Sequence, residues 1–176
     1  MALEQLLKRI ENQKVIILGF GKEGISTYRF IRRHFPKMKL VVADGNENLK
    51  TDDFAEDKHL KIIKGKDYDR NLNSYDLIFK SPGISFNMLD YYIENEKISS
   101  QTNLFLEYFH PQVIGITGTK GKSTTASLIY YILRHSRDNV FLAGNIGTPF
   151  FDIVEQLTPE SMVVAELSAH QLEIVH

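Results

Sequence analysis

The sequence contains no cysteine, so disulfide bonds, thiolate metal sites and cysteine nucleophiles are all excluded. Neither sign of charge is in excess, because 21 basic side chains accompany 22 acidic ones. No overall field would therefore attract nucleic acid or an acidic membrane, and any anion binding must be local. Long apolar runs are also missing, since none approaches the roughly 18 residues of a membrane span. We expect a cytoplasmic protein without a secretory signal.

What the sequence does contain is 176 residues, 43% of them hydrophobic, enough for one large or two small globular domains. Short apolar runs alternate with segments of helical periodicity, which predicts an α/β protein with a mostly parallel sheet covered on both faces. The predicted strands are Lys14–Leu18, Leu40–Ala43, Leu60–Ile63, Leu77–Phe79, Val113–Ile116, Val140–Ala143 and Met162–Leu167. The predicted helices are Leu3–Ile10, Ile25–Phe35, Met88–Lys97, Leu104–Phe109, Lys122–Arg134 and Phe150–Gln156.

The pair His110-Pro111 predicts a break between domains, because proline disfavours helix at the residue before it and a new strand follows at once. We place a domain boundary near residue 110, which gives domains at 1–110 and 111–176. The second stretch is thin for an α/β domain, and we expect it to be a truncated one.

A first glycine-rich turn, Gly19-Phe20-Gly21-Lys22-Glu23-Gly24, follows a predicted strand and opens a helix. In this pattern the first glycine allows the tight turn, the second lets the backbone approach a pyrophosphate, and the third lets the helix pack on the strand. The helix N-terminus then attracts the anion. Asp44, at the end of the second strand, is placed to accept a hydrogen bond from a ribose or a base. The pattern favours a nucleoside diphosphate over a structural turn, and it implies no redox cofactor.

A second glycine-rich turn, from Gly115 to Thr125, contains Gly121-Lys122-Ser123, the end of a phosphate-binding loop. In such a loop the lysine reaches the β- and γ-phosphates and the serine hydroxyl binds Mg²⁺. The strict spacing fails, because it needs a glycine at the position of Ile116, so this is a variant loop. The alternative is a structural turn, but a cation in the first turn of a helix opposes the helix dipole and so favours a bound anion.

Glu166 follows the apolar strand Met162–Ala165, at the carboxyl edge where open α/β sheets bind their ligands. A carboxylate buried there without a partner would be costly. The position favours a role in holding Mg²⁺, with a salt bridge or a solvated strand end as the alternatives.

The segment Thr117–Thr124 resembles the ATP loop of the Mur ligases and of the related folylpolyglutamate synthases. Four further segments resemble those Mur ligases that add D-glutamate: Gly19–Ser26, Ser81–Ile84, Gly144–Pro149 and Glu166–Glu173. The matches run in order from residue 14 to residue 173. Ala169-His170 departs from the family, which more often has a serine and an aromatic residue there.

The resemblance implies a Rossmann-like parallel-sheet domain that binds a UDP sugar, followed by the start of a P-loop ATPase α/β domain. It also implies a step of peptidoglycan precursor synthesis. In that step ATP phosphorylates the carboxylate of UDP-N-acetylmuramoyl-L-alanine, and the amine of D-glutamate attacks the acyl phosphate to form an amide. ATP and Mg²⁺ are the implied cofactors, and we expect a monomer that binds neither nucleic acid nor membrane.

The resemblance also carries roles to individual residues. Lys122 and Glu166 would be catalytic, and Ser123 and Glu166 would bind the metal. The ATP-binding residues would be Gly118, Thr119, Lys120, Gly121, Lys122, Ser123 and Thr124. The UDP-sugar site would comprise Gly19, Gly21, Lys22, Glu23, Gly24, Asp44, Ser81, Gly83 and Asn145, the last of these near the reacting end of the substrate.

In the family, a metal-binding histidine, a carbamylated lysine, the remaining ATPase strands and a glutamate-binding domain would all lie beyond the equivalent of His176. We therefore expect an N-terminal fragment that does not ligate by itself. Two other classes stay open. One is an NAD-dependent oxidoreductase built on Gly19–Asp44, which leaves the loop at 115–124 unexplained, and the other is a non-catalytic nucleotide-binding module. Mur ligases that add other amino acids also stay open, because the amino-acid pocket is not in these residues.

Overall fold

The computed structural model describes residues 2–85 and 93–175. These residues separate into two compact units: residues 7–85 with 93–101, called the first unit, and residues 2–6 with 102–175, called the second unit. Each unit contains a parallel sheet, which confirms the α/β class predicted from the alternation of strands and helices. The boundary near residue 110 concerns domains and stays a prediction.

Of the six α-helices in the described residues, five overlap predicted helical segments and the last along the chain was not predicted. They are α1 (Ala2–Ile10), α2 (Lys22–His34), α3 (Gln101–Phe109), α4 (Lys122–Arg134), α5 (Phe150–Ile153) and α6 (Ala169–Leu172). The helix predicted over Met88–Lys97 lies mainly outside the described residues, and its end, Asn95–Lys97, forms a 3₁₀ turn. None of the helices that the structure describes is both long and apolar enough to cross a membrane.

The first unit is built on five parallel strands. They are β1 (Val15–Leu18), β2 (Leu40–Asp44), β3 (Leu60–Lys64), β4 (Leu77–Lys80) and β5 (Ile98–Ser99), in the order β3-β2-β1-β4-β5. All four residues of the central strand β1 are buried, as its uninterrupted apolar sequence predicts for a strand covered on both faces. The sequence did not predict β5, because two residues are too few to show a pattern.

The register of this sheet brings three strand ends to one edge. Leu18 of β1 pairs with Ala43 of β2 on one side and with Lys80 of β4 on the other. The first glycine turn follows Leu18 directly and leads into α2. The turn therefore lies between the carboxyl ends of β2 and β4, where open α/β sheets bind ligands.

Helix α2 covers the sheet and ends where its sequence predicts. Phe30 and Ile31 are buried, while Pro36 disfavours helical backbone at Phe35, so the last helical residue is His34. The guanidinium of Arg32 satisfies carbonyls beyond the helix end, because its Nη1 donates to the carbonyl oxygens of Phe35, Pro36 and Met38.

The second unit contains a three-stranded parallel sheet in the order β6-β8-β7. The strands are β6 (Val113–Ile116), β7 (Val140–Gly144) and β8 (Met162–Glu166). Helix α4 packs on this sheet through Ala126, which contributes to one buried cluster with Val140 and Val164. In the register of the sheet, Glu166 pairs with Ile116 of β6 and with Gly144 of β7. All three strands therefore end at the same level.

Candidate functional site

The first glycine turn has a geometry that only glycine permits at two of its positions. Gly19 has a φ of +84°, in the left-handed region. A Cβ atom on Gly24 would lie 2.1 Å from the carbonyl oxygen of Gly19, so α2 starts in direct contact with the turn. Gly21 differs from both, because a Cβ atom there would meet nothing within 4 Å. The backbone at Gly21 therefore faces open space, with the N-terminus of α2 beside it.

Asp44 and Ser81 hold this turn from the neighbouring strands. The carboxylate of Asp44 accepts one hydrogen bond from the backbone N–H of Phe20, at 2.7 Å, and one from the backbone N–H of Asn46, at 2.8 Å. The hydroxyl of Ser81 donates to the carbonyl oxygen of Gly19, at 3.0 Å. Both residues thus shape the site through contacts with the backbone, and the sequence did not predict these contacts.

A cavity of about 440 Å³ opens at this edge of the first unit. Seven of the residues predicted to bind the UDP sugar line it, namely Gly19, Gly21, Lys22, Glu23, Asp44, Ser81 and Gly83. The other two predicted residues are not among those that line it: Gly24 packs against the carbonyl group of Gly19, and Asn145 belongs to the second unit. The cavity is also lined by Gly45, Tyr68, Pro82 and Ile84, which were not among the predicted site residues. Pro82 and Ile84 fall in the Ser81–Ile84 segment, whereas no local signal marked Tyr68.

Tyr68 lies in the turn that follows β3 and contacts the chain just after β2. A Cβ atom on Gly45 would lie 3.2 Å from Cε1 of the Tyr68 ring, so the ring packs against the backbone at that glycine. Burial raises the pKa of the Tyr68 hydroxyl, and the negative charges of Asp69 and Asp44 raise it further. The side chain is therefore a neutral aromatic surface at neutral pH.

The second glycine turn, residues 117–121, connects β6 to α4. Gly118 and Gly121 have φ values of +144° and +78°, and Gly121 caps the N-terminus of α4. The side chain of Lys122 folds back over the turn, where its Nζ donates a hydrogen bond of 2.8 Å to the carbonyl oxygen of Gly118. The ammonium group is thus held at the turn by the turn's own backbone.

The other residues predicted to bind ATP are accessible. Thr119, Lys120, Ser123 and Thr124 are all exposed, as are both glycines of the turn. The first N–H groups of α4 have no partner within the helix, as at any helix N-terminus. The turn therefore offers an ammonium, two hydroxyl side chains at the helix start and backbone N–H groups to solvent.

Glu166 is a buried carboxylate with one satisfied oxygen. Glu166 is 1% exposed and is the last residue of the central strand β8. Oε1 accepts a hydrogen bond of 2.7 Å from Nδ2 of Asn145, whereas Oε2 is buried and has no hydrogen-bond partner within the described residues. A buried acceptor of this kind is costly unless something else binds it.

The segment after Glu166 is fixed locally. Ser168 and Gln171 form a capping box at the start of α6, with the Ser168 side chain accepting from the Gln171 N–H and the Gln171 side chain accepting from the Ser168 N–H. His170, one of the two residues that depart from the family pattern, is exposed and pairs with Glu173 at 3.0 Å. The departure at 169–170 therefore falls on the helix surface, after the carboxylate.

Within residues 2–85 and 93–175, no group of three or more His, Cys, Asp or Glu side chains is arranged to hold a metal ion. A site for Mg²⁺ in proteins often uses only one or two carboxylates, with water and substrate phosphates supplying the other ligands. Glu166 matches this kind of site better than a closed protein cage.

Comparison with known proteins gives one family match and many similar relatives. Residues 13–95 match the family model described as Mur ligase MurD-like, N-terminal domain. The UDP-N-acetylmuramoylalanine–D-glutamate ligase of Clostridium botulinum (strain Okra) is 32% identical over 167 residues, 93% of this chain and 36% of that protein. The enzyme of the same name from Ruminiclostridium cellulolyticum is 32% identical over 175 residues, 97% of this chain and 37% of that protein.

A third relative, the ligase of the same name from Clostridium kluyveri, is 37% identical over 119 residues, which is 66% of this chain and 26% of that protein. The chain thus spans little more than a third of the length of the curated relatives it matches most fully. These matches confirm the resemblance to the Mur ligases that the motifs predicted.

Proposed function

Because the chain is similar to the Mur ligases over nearly all of its length, we propose that it carries the nucleotide-binding parts of an ATP-dependent carboxylate–amine ligase of peptidoglycan synthesis. The reaction adds D-glutamate to UDP-N-acetylmuramoyl-L-alanine through an acyl phosphate. In this proposal residues 1–110 form the UDP-sugar-binding domain and residues 111–176 begin the ATP-binding domain. The enzyme acts in the cytoplasm as a monomer.

The cavity of the first unit supports the UDP-sugar site. Gly21 leaves open space beside the N-terminus of α2, where a diphosphate would meet backbone N–H groups and a favourable helix dipole. Lys22 lines the same cavity and supplies a positive charge. Asn145, in the second unit, would contact the substrate near its reacting end.

The position of the Lys122 side chain is the main observation that supports the proposed ATP site. Its hydrogen bond to the Gly118 carbonyl holds the ammonium over residues 118–121, at the start of α4. A lysine in the first helical turn is otherwise unfavourable, because the helix dipole repels it. A triphosphate bound in this turn would bring negative charge to both the ammonium and the helix N-terminus, which resolves the conflict.

Glu166 and Ser123 are the residues that would hold Mg²⁺. The buried Oε2 of Glu166 lacks a partner within the described residues and is an oxygen of the type that Mg²⁺ binds. The Ser123 hydroxyl is exposed at the N-terminus of α4. The ion, when bound, offsets the charge of the phosphates. The hydrogen bond from Asn145 orients the Glu166 carboxylate.

The chemistry explains why a ligase needs both sites. A carboxylate is a poor electrophile. Phosphorylating one of its oxygens gives an acyl phosphate, from which the attacking amine can displace phosphate as the leaving group. The phosphoryl transfer gathers several negative charges, so positively charged groups must already be positioned. Lys122 and the N-terminus of α4 provide such groups on this chain.

Calorimetric titration of the chain with Mg·ATP tests the proposal. We expect Lys122→Ala to weaken ATP binding about ten-fold or more, because a charged hydrogen bond to phosphate is lost. Arg137→Ala, which removes an exposed cation beyond the other end of α4, is the matched control and should bind ATP as the unmodified chain does. UDP-sugar binding with ATP affinity that does not depend on Lys122 would favour the non-catalytic module instead.

A second titration separates the ligase from the oxidoreductase. Under the proposal, NADH fluorescence does not change on addition of the chain, while the UDP sugar binds. Saturable binding of NADH that the UDP sugar fails to displace would favour the oxidoreductase.

A further inference from the structure

Tyr68 is the only aromatic residue among the described residues that line the cavity of the first unit. Its turn is tied to the end of β2, because the backbone N–H of Gly65 donates to the carbonyl oxygen of Asp44 at 2.9 Å. The Tyr68 N–H in turn donates to the carbonyl oxygen of Gly65. The aromatic ring is thus carried by a turn that is anchored next to the predicted nucleotide-binding aspartate.

The ring is also held from one side. It packs against the backbone at Gly45, where a Cβ atom would approach Cε1 and Cδ1 of the ring to 3.2 and 3.6 Å. A glycine at position 45 therefore lets the ring lie close to the chain. The side chain is half-buried, and it contributes to the cavity wall. An aromatic surface fixed in this way loses little conformational entropy when a ligand stacks on it.

The order of the strands gives the cavity two distinct ends. The first glycine turn follows β1, with β2 on one side of it and β4 on the other. The β2 end presents Tyr68 and Asp44, an aromatic ring and a carboxylate, whereas the β4 end presents the Ser81–Ile84 segment. A diphosphate at the N-terminus of α2 would leave one end of the ligand beside Tyr68. Of the two ends, this one is chemically complementary to a planar base, which offers a π face and N–H donors.

We infer that Tyr68 is a specificity residue that stacks on the pyrimidine base of the bound nucleoside diphosphate. The inference rests on the proposed function, because it requires a nucleoside diphosphate in the cavity of the first unit. It assigns the base to the β2 end and directs the rest of the ligand toward the β4 end. Because the phenol is neutral at neutral pH, stacking does not depend on its ionisation.

The test compares Tyr68→Phe, which keeps the aromatic ring, with Tyr68→Leu, which keeps much of the bulk without a π face. UDP is the probe, titrated calorimetrically into the full chain. We expect Tyr68→Phe to bind UDP within about two-fold of the unmodified chain and Tyr68→Leu to bind at least about five-fold more weakly. Tyr131→Leu is the matched control, since Tyr131 is 64% exposed on α4 in the second unit, and UDP affinity should not change.

Proton NMR of bound UDP supplies a readout that a purely structural role of Tyr68 would not produce. Stacking should shift the uracil H5 and H6 resonances upfield and give cross-relaxation to a tyrosine ring, and both signals should disappear in Tyr68→Leu. If the unmodified chain binds no UDP, the proposed function fails and the inference fails with it. If UDP binds equally well to Tyr68→Leu, or without the upfield shift, the inference alone is wrong.

Discussion

The side-chain amide of Asn145 donates a hydrogen bond of 2.7 Å to Oε1 of Glu166, and the backbone N–H of Asn145 donates to the Glu166 carbonyl oxygen at 2.9 Å. Both bonds exist because β7 pairs directly with β8, so Asn145, just after Gly144, lies beside the last residue of β8. Gly144 makes the approach possible, since a Cβ atom there would lie 2.4 Å from the same carbonyl oxygen. The contact orients a carboxylate whose other oxygen has no partner among the described residues.

We predict that Glu166→Gln removes the response of the chain to Mg²⁺. The substitution keeps an acceptor oxygen for Asn145 but removes the buried charge. Stability without metal should therefore not fall, because an uncompensated buried charge is costly. Thermal unfolding with and without Mg²⁺ checks this, with Glu160→Gln, at an exposed position, as the control that keeps the response. If Mg²⁺ raised the Tm of Glu166→Gln as much as that of the unmodified chain, Glu166 would not bind the metal.

Substitutions at two glycines of the first turn should have different effects, one on the stability of the fold and the other on UDP binding. Gly24→Ala places a Cβ atom 2.1 Å from the Gly19 carbonyl oxygen, so we expect the free energy of unfolding to fall by about 1–3 kcal/mol or more. Gly21→Ala meets no atom within 4 Å at a φ of −78°, and its stability should change by less than about 0.5 kcal/mol.

The same Gly21→Ala variant should bind UDP about ten-fold more weakly, because the new methyl group occupies space where the diphosphate would lie. Urea unfolding and calorimetry measure the two effects separately. Unchanged UDP affinity in Gly21→Ala would show that the ligand does not approach this part of the backbone.

The hydrogen-bonded cluster around Asp57 predicts a loss of stability in acid. Burial raises the pKa of the Asp57 carboxyl, but hydrogen bonds from Tyr28 and the His59 N–H and the charge of Arg32 outweigh it and hold the pKa below its usual value. A carboxyl with a lowered pKa in the folded state stabilises the fold above its unfolded pKa, and this contribution is lost as the pH falls through the folded value.

We therefore expect Asp57→Asn to unfold at lower urea concentration than the unmodified chain at neutral pH. The difference should narrow as the pH falls below about 4, where the unfolded chain begins to bind the proton. Asp53→Asn, at an exposed position of the same unit, should show little difference at any pH. If the difference in urea midpoint between Asp57→Asn and the unmodified chain widened in acid, the lowered pKa of Asp57 would be contradicted.

The glycine turns show how far local sequence reaches. A buried apolar strand followed by glycines and an amphipathic helix predicts the strand–turn–helix arrangement at Gly19–Gly24, since strand, turn and helix preferences act over a few residues. The apolar run Met162–Ala165 likewise predicted that Glu166 lies at the carboxyl end of a strand, which the structure confirms. These features depend on the periodicity of apolar side chains and on the conformational freedom of the backbone, and short segments encode both.

Strand order depends on contacts between segments distant in the chain, and the sequence did not predict it. In the second unit β8 comes last along the chain yet lies between β6 and β7, and its pairing with β7 places Asn145 against Glu166. In the first unit Tyr68 joins the cavity because its turn is anchored to the end of β2. The sequence by itself determined most of the elements and the two glycine-rich turns between strand and helix, whereas the tertiary structure decided which side chains meet, because packing across the sheet selects neighbours that no local pattern encodes.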